Sequence, residues 1–333
     1  MTDDGVAIEA DIELVDAIAA LSADCTALSK RLHQLDHTIT TDCAGLTLRL
    51  HYPAFRQGKA MVGELVDAIS HHIVAFCLPR TKVAQVDALY GSIPVAEFKV
   101  RLEQLRQSAF DLFKRAQLAC NRNGEAGELL LYLFTEWVLG APQILAKMSL
   151  KTNSQMPVHG ADGVHVRFCP ETKRLFIYWG ESKLHKDLGK AINDAAKSIA
   201  ESLTEEKVKH EIALVHRNLD LSGLPSSAKE ALLCYLDPYA DEYVHRYDVI
   251  TCLISFDFDG FAKTAADPET CDAVFRKLAE EKLKSASVDL AQALKDKGLN
   301  HQPVEMFFMP VPSVARLREL FQDKIGWKPM GGS

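Results

Sequence analysis

Glu181 and Lys183 stand two residues apart in the run LFIYWGESKLH (175–185), and alternate residues of a strand point to the same face. A second candidate strand, Asp162 to Phe168, precedes it across the turn CPET at 169–172. If Phe168 pairs with Leu175, the antiparallel register sets 162 opposite 181. Directly opposed residues share a face with Cβ atoms about 5 Å apart. A slip of one residue would turn Asp162 away. Two converging carboxylates repel unless a cation lies between them. Their hard oxygens suit Mg²⁺ or Mn²⁺. Such an ion can polarise a phosphodiester and acidify a bound water. Lys183 would position that water or stabilise charge on the phosphate.

A third acid, Glu128, falls in the first turn of a strongly apolar helix, 126–139, that stops at Gly140-Ala141-Pro142. From there it could reach the ion directly or through water, with Glu125 a competitor one turn earlier. After Lys183, the residues Leu188, Ile192, Ala195, Ile199 and Leu203 form one apolar helical stripe. Lys186, Lys190 and Lys197 fall on the opposite side and, with Lys151, are the candidates for tracking a phosphate backbone. Lys147 is a further surface lysine that could touch DNA. Plainer explanations stand beside each. A Glu–Lys pair on a strand is usually a surface salt bridge, acids favour helix N-termini, and a lysine stripe is usually a solvated face. His159, His165 and His185 match no standard zinc spacing and read as loop or supporting residues. Asp257 and Asp259 read as a strand end and turn.

These residues need a sheet to hold them. The order of patterns predicts an α/β protein with a central mixed sheet flanked by helices. Residues 1–95 form an N-terminal α/β region, with a helix over Ile12–Leu35, a β-rich stretch over Thr38–Tyr52 and a helix over Ala60–Phe76. Residues 96–220 form the chemical core. It has a helix over Val95–Leu118, a short strand at 144–151, the two strands above, and another strand over Ile212–His216. Residues 221–328 either extend that core or dock a partner, with helices at 226–236, 268–297 and 313–324 and strands at 248–258 and 303–310. The LFIYW run, apolar without alternation, suits a strand covered on both faces.

Bulk properties bound the function. The chain has 333 residues, 47% hydrophobic, with a formal net charge of −7. A dedicated nucleic-acid binder is usually basic, so contact with DNA would need a local basic patch, a partner or metal ions. The eight cysteines form no CxxC pair, which argues against a zinc or redox motif. No apolar run approaches the roughly 20 residues of a membrane span. The acidic start lacks the order of a signal peptide, so a cytoplasmic protein is expected.

An acid on a first helix, an Asp on a second strand and (D/E)xK on a third is the order of the PD-(D/E)xK nuclease superfamily, which Glu128, Asp162 and Glu181-Ser182-Lys183 resemble. Ala161 stands where that superfamily often has proline. The wording is more specific. GEAGELLLYLFTEWVLGAPQILAKMSLKT, MPVHGADGVHV and YWGESKLHKDLGKAINDAAKSIAE look like the HamA family, the nuclease subunit of Hachiman antiphage defence, over residues 120–205. The resemblance implies a restriction-endonuclease-like core and a Mg²⁺- or Mn²⁺-dependent effector that cleaves DNA. It also implies a superfamily 2 helicase partner, HamB, that restrains the nuclease until phage-associated DNA damage is sensed. Two other functions remain open: a non-catalytic regulatory subunit of a helicase, and a nuclease directed at RNA.

Overall fold

Apolar runs bounded by turns become buried strands when both their faces are covered, and six such strands build the main sheet. The computed structural model describes residues 12–35, 41, 43, 45–120, 124–151, 161–219, 221–264 and 269–327. The chain opens with helix α1 (12–19), then β1 (Leu32–Leu35) and β2 (Leu46–Pro53). A two-residue hairpin follows, β3 (Phe55–Arg56) and β4 (Lys59–Ala60). Next come α2 (Val62–Ser70), α3 (Ile73–Cys77), α4 (Arg80–Asp87), α5 (Val95–Cys120), α6 (Glu125–Leu139) and α7 (Lys147–Lys151). The central hairpin is β5 (Val164–Cys169) and β6 (Arg174–His185). It leads to α8 (Leu188–Ser202), α9 (Glu205–Asn218) and α10 (Ser226–Leu236). The chain continues with β7 (Arg246–Asp257), α11 (Gly260–Thr264), α12 (Cys271–Asp296), β8 (Val304–Val311) and α13 (Val314–Ile325).

The strand order is β1-β2-β8-β7-β6-β5. The four inner strands run parallel, and β1 and β5 close the edges antiparallel. Strands buried on both faces lose the polar alternation of a half-exposed sheet. β7 accordingly is buried without a break from Val249 to Phe256. Residues of α1, α8, α9, α10 and α12 pack on one face, around Ile177, Cys252 and Met306. Those of α2, α3, α5, α6 and α13 pack on the other, around Leu184, Leu253 and Phe307. Among the described residues no helix is long and apolar enough to cross a membrane.

The mixed sheet flanked by helices is the expected architecture, but several elements differ. The helix expected over Ile12–Leu35 ends near residue 19, and Leu28 and Leu32 are buried from a turn and a strand instead. Ala60–Phe76 splits into α2 and α3. The expected strand at 144–151 is the helix α7, and its pairing shrinks to a bridge between Gln143 and His165. The expected strand over Ile212–His216 lies inside α9, where Ile212 and Val215 are buried three residues apart on one helical side. Part of the β-rich stretch from Thr38 lies outside the described residues. The expected three segments all contribute strands to one sheet.

Candidate active site

The site forms where β5 ends and β6 continues without it. Phe168 pairs with Leu175, as the turn predicts, and the ladder runs back to Val164 opposite Trp179. Asp162 lies just before the strand. Its N–H donates to Gly180 O at 2.6 Å, while Gly180 N–H donates to Gly163 O at 2.9 Å. Beyond that point Ser182 has no ladder neighbour on β5, and the Asp162 carboxylate takes over. Oδ2 accepts from both the N–H and the hydroxyl of Ser182, each at 2.8 Å. Asp162 is therefore fixed at the strand end, through Ser182 as well as by its position near Glu181.

Glu181 and Lys183 share the face covered by α8. Lys183 Nζ donates to Glu181 Oε1 at 2.5 Å, and both side chains are about four-fifths covered. Burial first, then the Asp162 charge, raises the Glu181 carboxyl above its ordinary value. Lys183 and a hydrogen bond from Ser198 of α8 oppose this. Burial pulls the Lys183 ammonium down, but the charges of Glu181 and Asp162 outweigh it and leave it raised. The two directions agree once Asp162 is counted, since it repels the carboxylate and attracts the ammonium. Beneath them Cys252, opposite Glu181 on β7, is fully buried, and burial pushes its thiol well up. The floor is dry.

Glu128 is buried in the first turn of α6. That turn seats on β6 through Gly127, where a Cβ would come within 2.4 Å of Leu184 Cδ1 and 3.2 Å of Ser182 Oγ. Ser182 and Leu184 face α6, so Glu128 approaches from the opposite sheet face to Glu181. Among the described residues no three His, Cys, Asp or Glu side chains come together tightly enough to hold a metal, so Glu128 does not complete a three-acid set. The pair Asp162–Glu181 still fits a hard divalent cation in its chemistry. Mg²⁺ is bound by one or two carboxylates and keeps water or phosphate in its other positions, and such an ion would offset both the burial and the Asp162 charge that raise Glu181.

Lys147 and its partner Glu211, near the site, carry no signal in the motif. Lys147 was expected on the surface, but it is 2% exposed and donates to Ala161 O at 2.5 Å and Glu211 Oε2 at 2.7 Å. It thus ties α7, α9 and the residue preceding Asp162 together. Its place in the apolar run QILAKMSL is the hint that could have found it. A cavity of about 130 Å³ opens beside Glu181, walled by Trp179, Ser198, Glu201, Lys207 and Glu211. The DNA-contact candidates Lys186, Lys190 and Lys197 are exposed on or beside α8. Lys197 lies 3.9 Å from Glu201. The Lys151 side chain and His159 lie outside the described residues. His165 is buried and its Nδ1 pairs with Ala141 O, with its pKa held down to about 4 by burial. His185 meets Asp194 at 3.5 Å. Asp257 ends β7 and accepts from Val314 N–H at 2.6 Å. Asp259 pairs with Lys263 at 2.7 Å.

Fold and site together define a mixed-sheet α/β protein with two carboxylates and a lysine gathered at the open end of an antiparallel strand pair. The chain belongs to the HamA family, whose sequence profile matches residues 29–325. Neither the curated proteins nor the solved structures give a match.

Proposed function

We propose that the protein is a metal-dependent DNA nuclease, the effector of a Hachiman antiphage-defence system, acting in the cytoplasm under the control of the helicase HamB. The observation that carries this reading is the geometry at the end of β6, where Lys183 donates to Glu181 and Ser182 holds the Asp162 carboxylate at the neighbouring strand end. The succession of α6, the bridged segment at Gln143, β5, β6 and α8 supports a PD-(D/E)xK core.

Asp162 and Glu181 would hold Mg²⁺ or Mn²⁺, which when bound polarises the phosphodiester and acidifies a coordinated water. Ser182 keeps the Asp162 carboxylate aimed by donating twice to one oxygen, leaving the other oxygen free of that task. Lys183 places an ammonium where negative charge grows on the phosphate, worth most where water is excluded. Glu128 supports the site through water from the α6 side. The exposed Lys186, Lys190 and Lys197 offer phosphate contacts on a chain of net charge −7.

Digestion of plasmid DNA with Mg²⁺ tests this. The wild type cuts, and Glu181→Ala and Lys183→Ala each lose about 10²-fold or more. Equal cutting by all three removes the catalytic assignment. An RNA substrate run alongside decides which sugar is attacked.

A further inference from the structure

On the α6 face, the sheet extends past the end of the helix that covers it. Leu131 of α6 touches Gly180, Thr135 meets Thr251, and Leu139 ends the cover near Tyr178 and Val249. The next row out is set by register. Arg167 on β5 lies opposite Phe176 on β6, which lies beside Tyr247 on β7. Arg174, two residues from Phe176, shares the face. Arg167 and Arg174 are exposed, Tyr247 is 38% exposed and Phe176 is half-buried.

The row has the chemistry of a stacking platform. The Arg167 guanidinium sits 5.2 Å from the Phe176 ring centre, and Arg174 sits 5.8 Å from that of Tyr247. The two rings meet edge to face at 5.3 Å. Among the described residues Arg167 donates to the Tyr178 hydroxyl, and neither it nor Arg174 is held in an ion pair. Arg246, next along, is instead tied to Asp248. Of the acids in the neighbourhood, Glu305 is taken by Arg49, and Glu171, exposed in the turn, receives the Cys169 thiol and feels the Arg167 charge only weakly and without an ion pair. Two guanidiniums outside any ion pair, each beside an aromatic ring on a sheet face in an acidic protein, match alternating phosphates and bases. The rings can stack only on bases that are unpaired, which excludes a closed duplex as the best occupant.

We propose that this face, formed by Arg167, Arg174, Phe176 and Tyr247, binds a single strand of DNA. It is a site separate from the carboxylates near the other end of β6. The choice of DNA over RNA rests on the nuclease reading above. The platform itself does not.

The test is fluorescence anisotropy of a fluorescein-labelled oligodeoxythymidine of about 20 nucleotides, with the full chain in EDTA. Tyr247→Ala weakens binding about tenfold while Tyr247→Phe keeps it. Arg167→Ala with Arg174→Ala weakens it further and flattens the salt dependence by about two phosphate contacts. Duplex DNA of the same length binds more weakly and is insensitive to Tyr247→Ala. Absence of binding to the single strand, or binding unchanged in both sets of variants, overturns the proposal. Because the chelator stops cleavage, a protein that never cuts DNA still gives a binding result, and the two readings fail separately.

Discussion

Ionising Glu181 works against burial and against the Asp162 charge, so the native chain holds that proton more tightly than the unfolded chain does. By linkage, stability then falls as pH rises from the ordinary carboxyl value through the raised one, and the penalty is complete above it. Glu181→Gln removes the penalty. In EDTA at pH 8 the variant melts at or above the wild type, and its advantage shrinks to nothing as the acid range is crossed downward. Mg²⁺ raises the melting temperature of the wild type at pH 8 and leaves the variant unmoved. Thermal scans at three pH values check this; a variant that melts lower at pH 8 would make Glu181 a structural salt-bridge partner instead. Lys147 is the opposite case. It lies almost wholly out of water with Glu211, and Lys147→Met strands a buried carboxylate together with the Ala161 carbonyl. The expected loss is about 3–5 kcal/mol in urea unfolding, mostly recovered when Glu211→Leu is added. If Lys147→Met unfolds like the wild type, the pair does not brace the strand end. The contrast explains what could be read in advance. Glu181 and Lys183 announce themselves through a two-residue period, whereas the partner of Lys147 lies 64 residues away and leaves no local trace.

At the scale of elements, periodicity identified α8 because one of its faces is buried and the other is not, whereas the β5–β6 hairpin was legible from the CPET turn and from an apolar run covered on both faces. The buried set Leu188, Ile192, Ala195 and Ile199 is the predicted stripe except for Leu203, which ends the helix and is only partly buried. Periodicity failed where a run was too short to show its period. In IALVH (212–216) a buried helical side and a buried strand give the same string, and tertiary packing against the sheet decides for the helix. The strand expected at 144–151 failed differently, since the residues that bridge β5, Pro142 to Ile144, reach only its first position. Glycines set how closely these elements approach. A Cβ on Gly180 would lie 2.9 Å from Leu131 Cδ2 and 3.0 Å from the backbone N of Gly163. The leucine can rotate, but the backbone cannot yield without opening the hairpin that holds Asp162. Gly180→Ala should therefore destabilise by about 1–3 kcal/mol and cut the proposed plasmid cleavage further than the stability loss accounts for. Urea unfolding and plasmid cutting at a temperature where the variant stays folded separate the two effects. Full activity would show that the strand end tolerates the shift.

For the whole molecule, the chemical motif and the folding unit differ in extent. The residues that resemble a nuclease core fall within 96–220, yet β6 rests along its length, Leu175 to His185, on β7, and β7 rests on β8. β8 in turn pairs with β2 from the N-terminal part of the chain. Both cores follow the same rule. One joins Leu14 and Leu48 to Ile177, Ile254 and Met306, and the other joins Leu65 and Phe76 to Leu131, Leu253 and Phe321. A segment cut at 96 and 220 would keep the carboxylates and the lysine. It would expose one whole edge of β6 and the apolar faces of α6 and α8, with too little buried surface to offset chain entropy. The expected outcome is that this fragment, expressed alone, shows no cooperative thermal transition by circular dichroism and aggregates through the open edge, while the full chain melts in one step. A fragment that unfolds cooperatively would show that the core stands by itself and that the flanking strands were added around it. Until then the site at the end of β6 is best understood as a product of the complete sheet, since the strand that presents Glu181 and Lys183 is held straight by partners contributed from residues beyond 220.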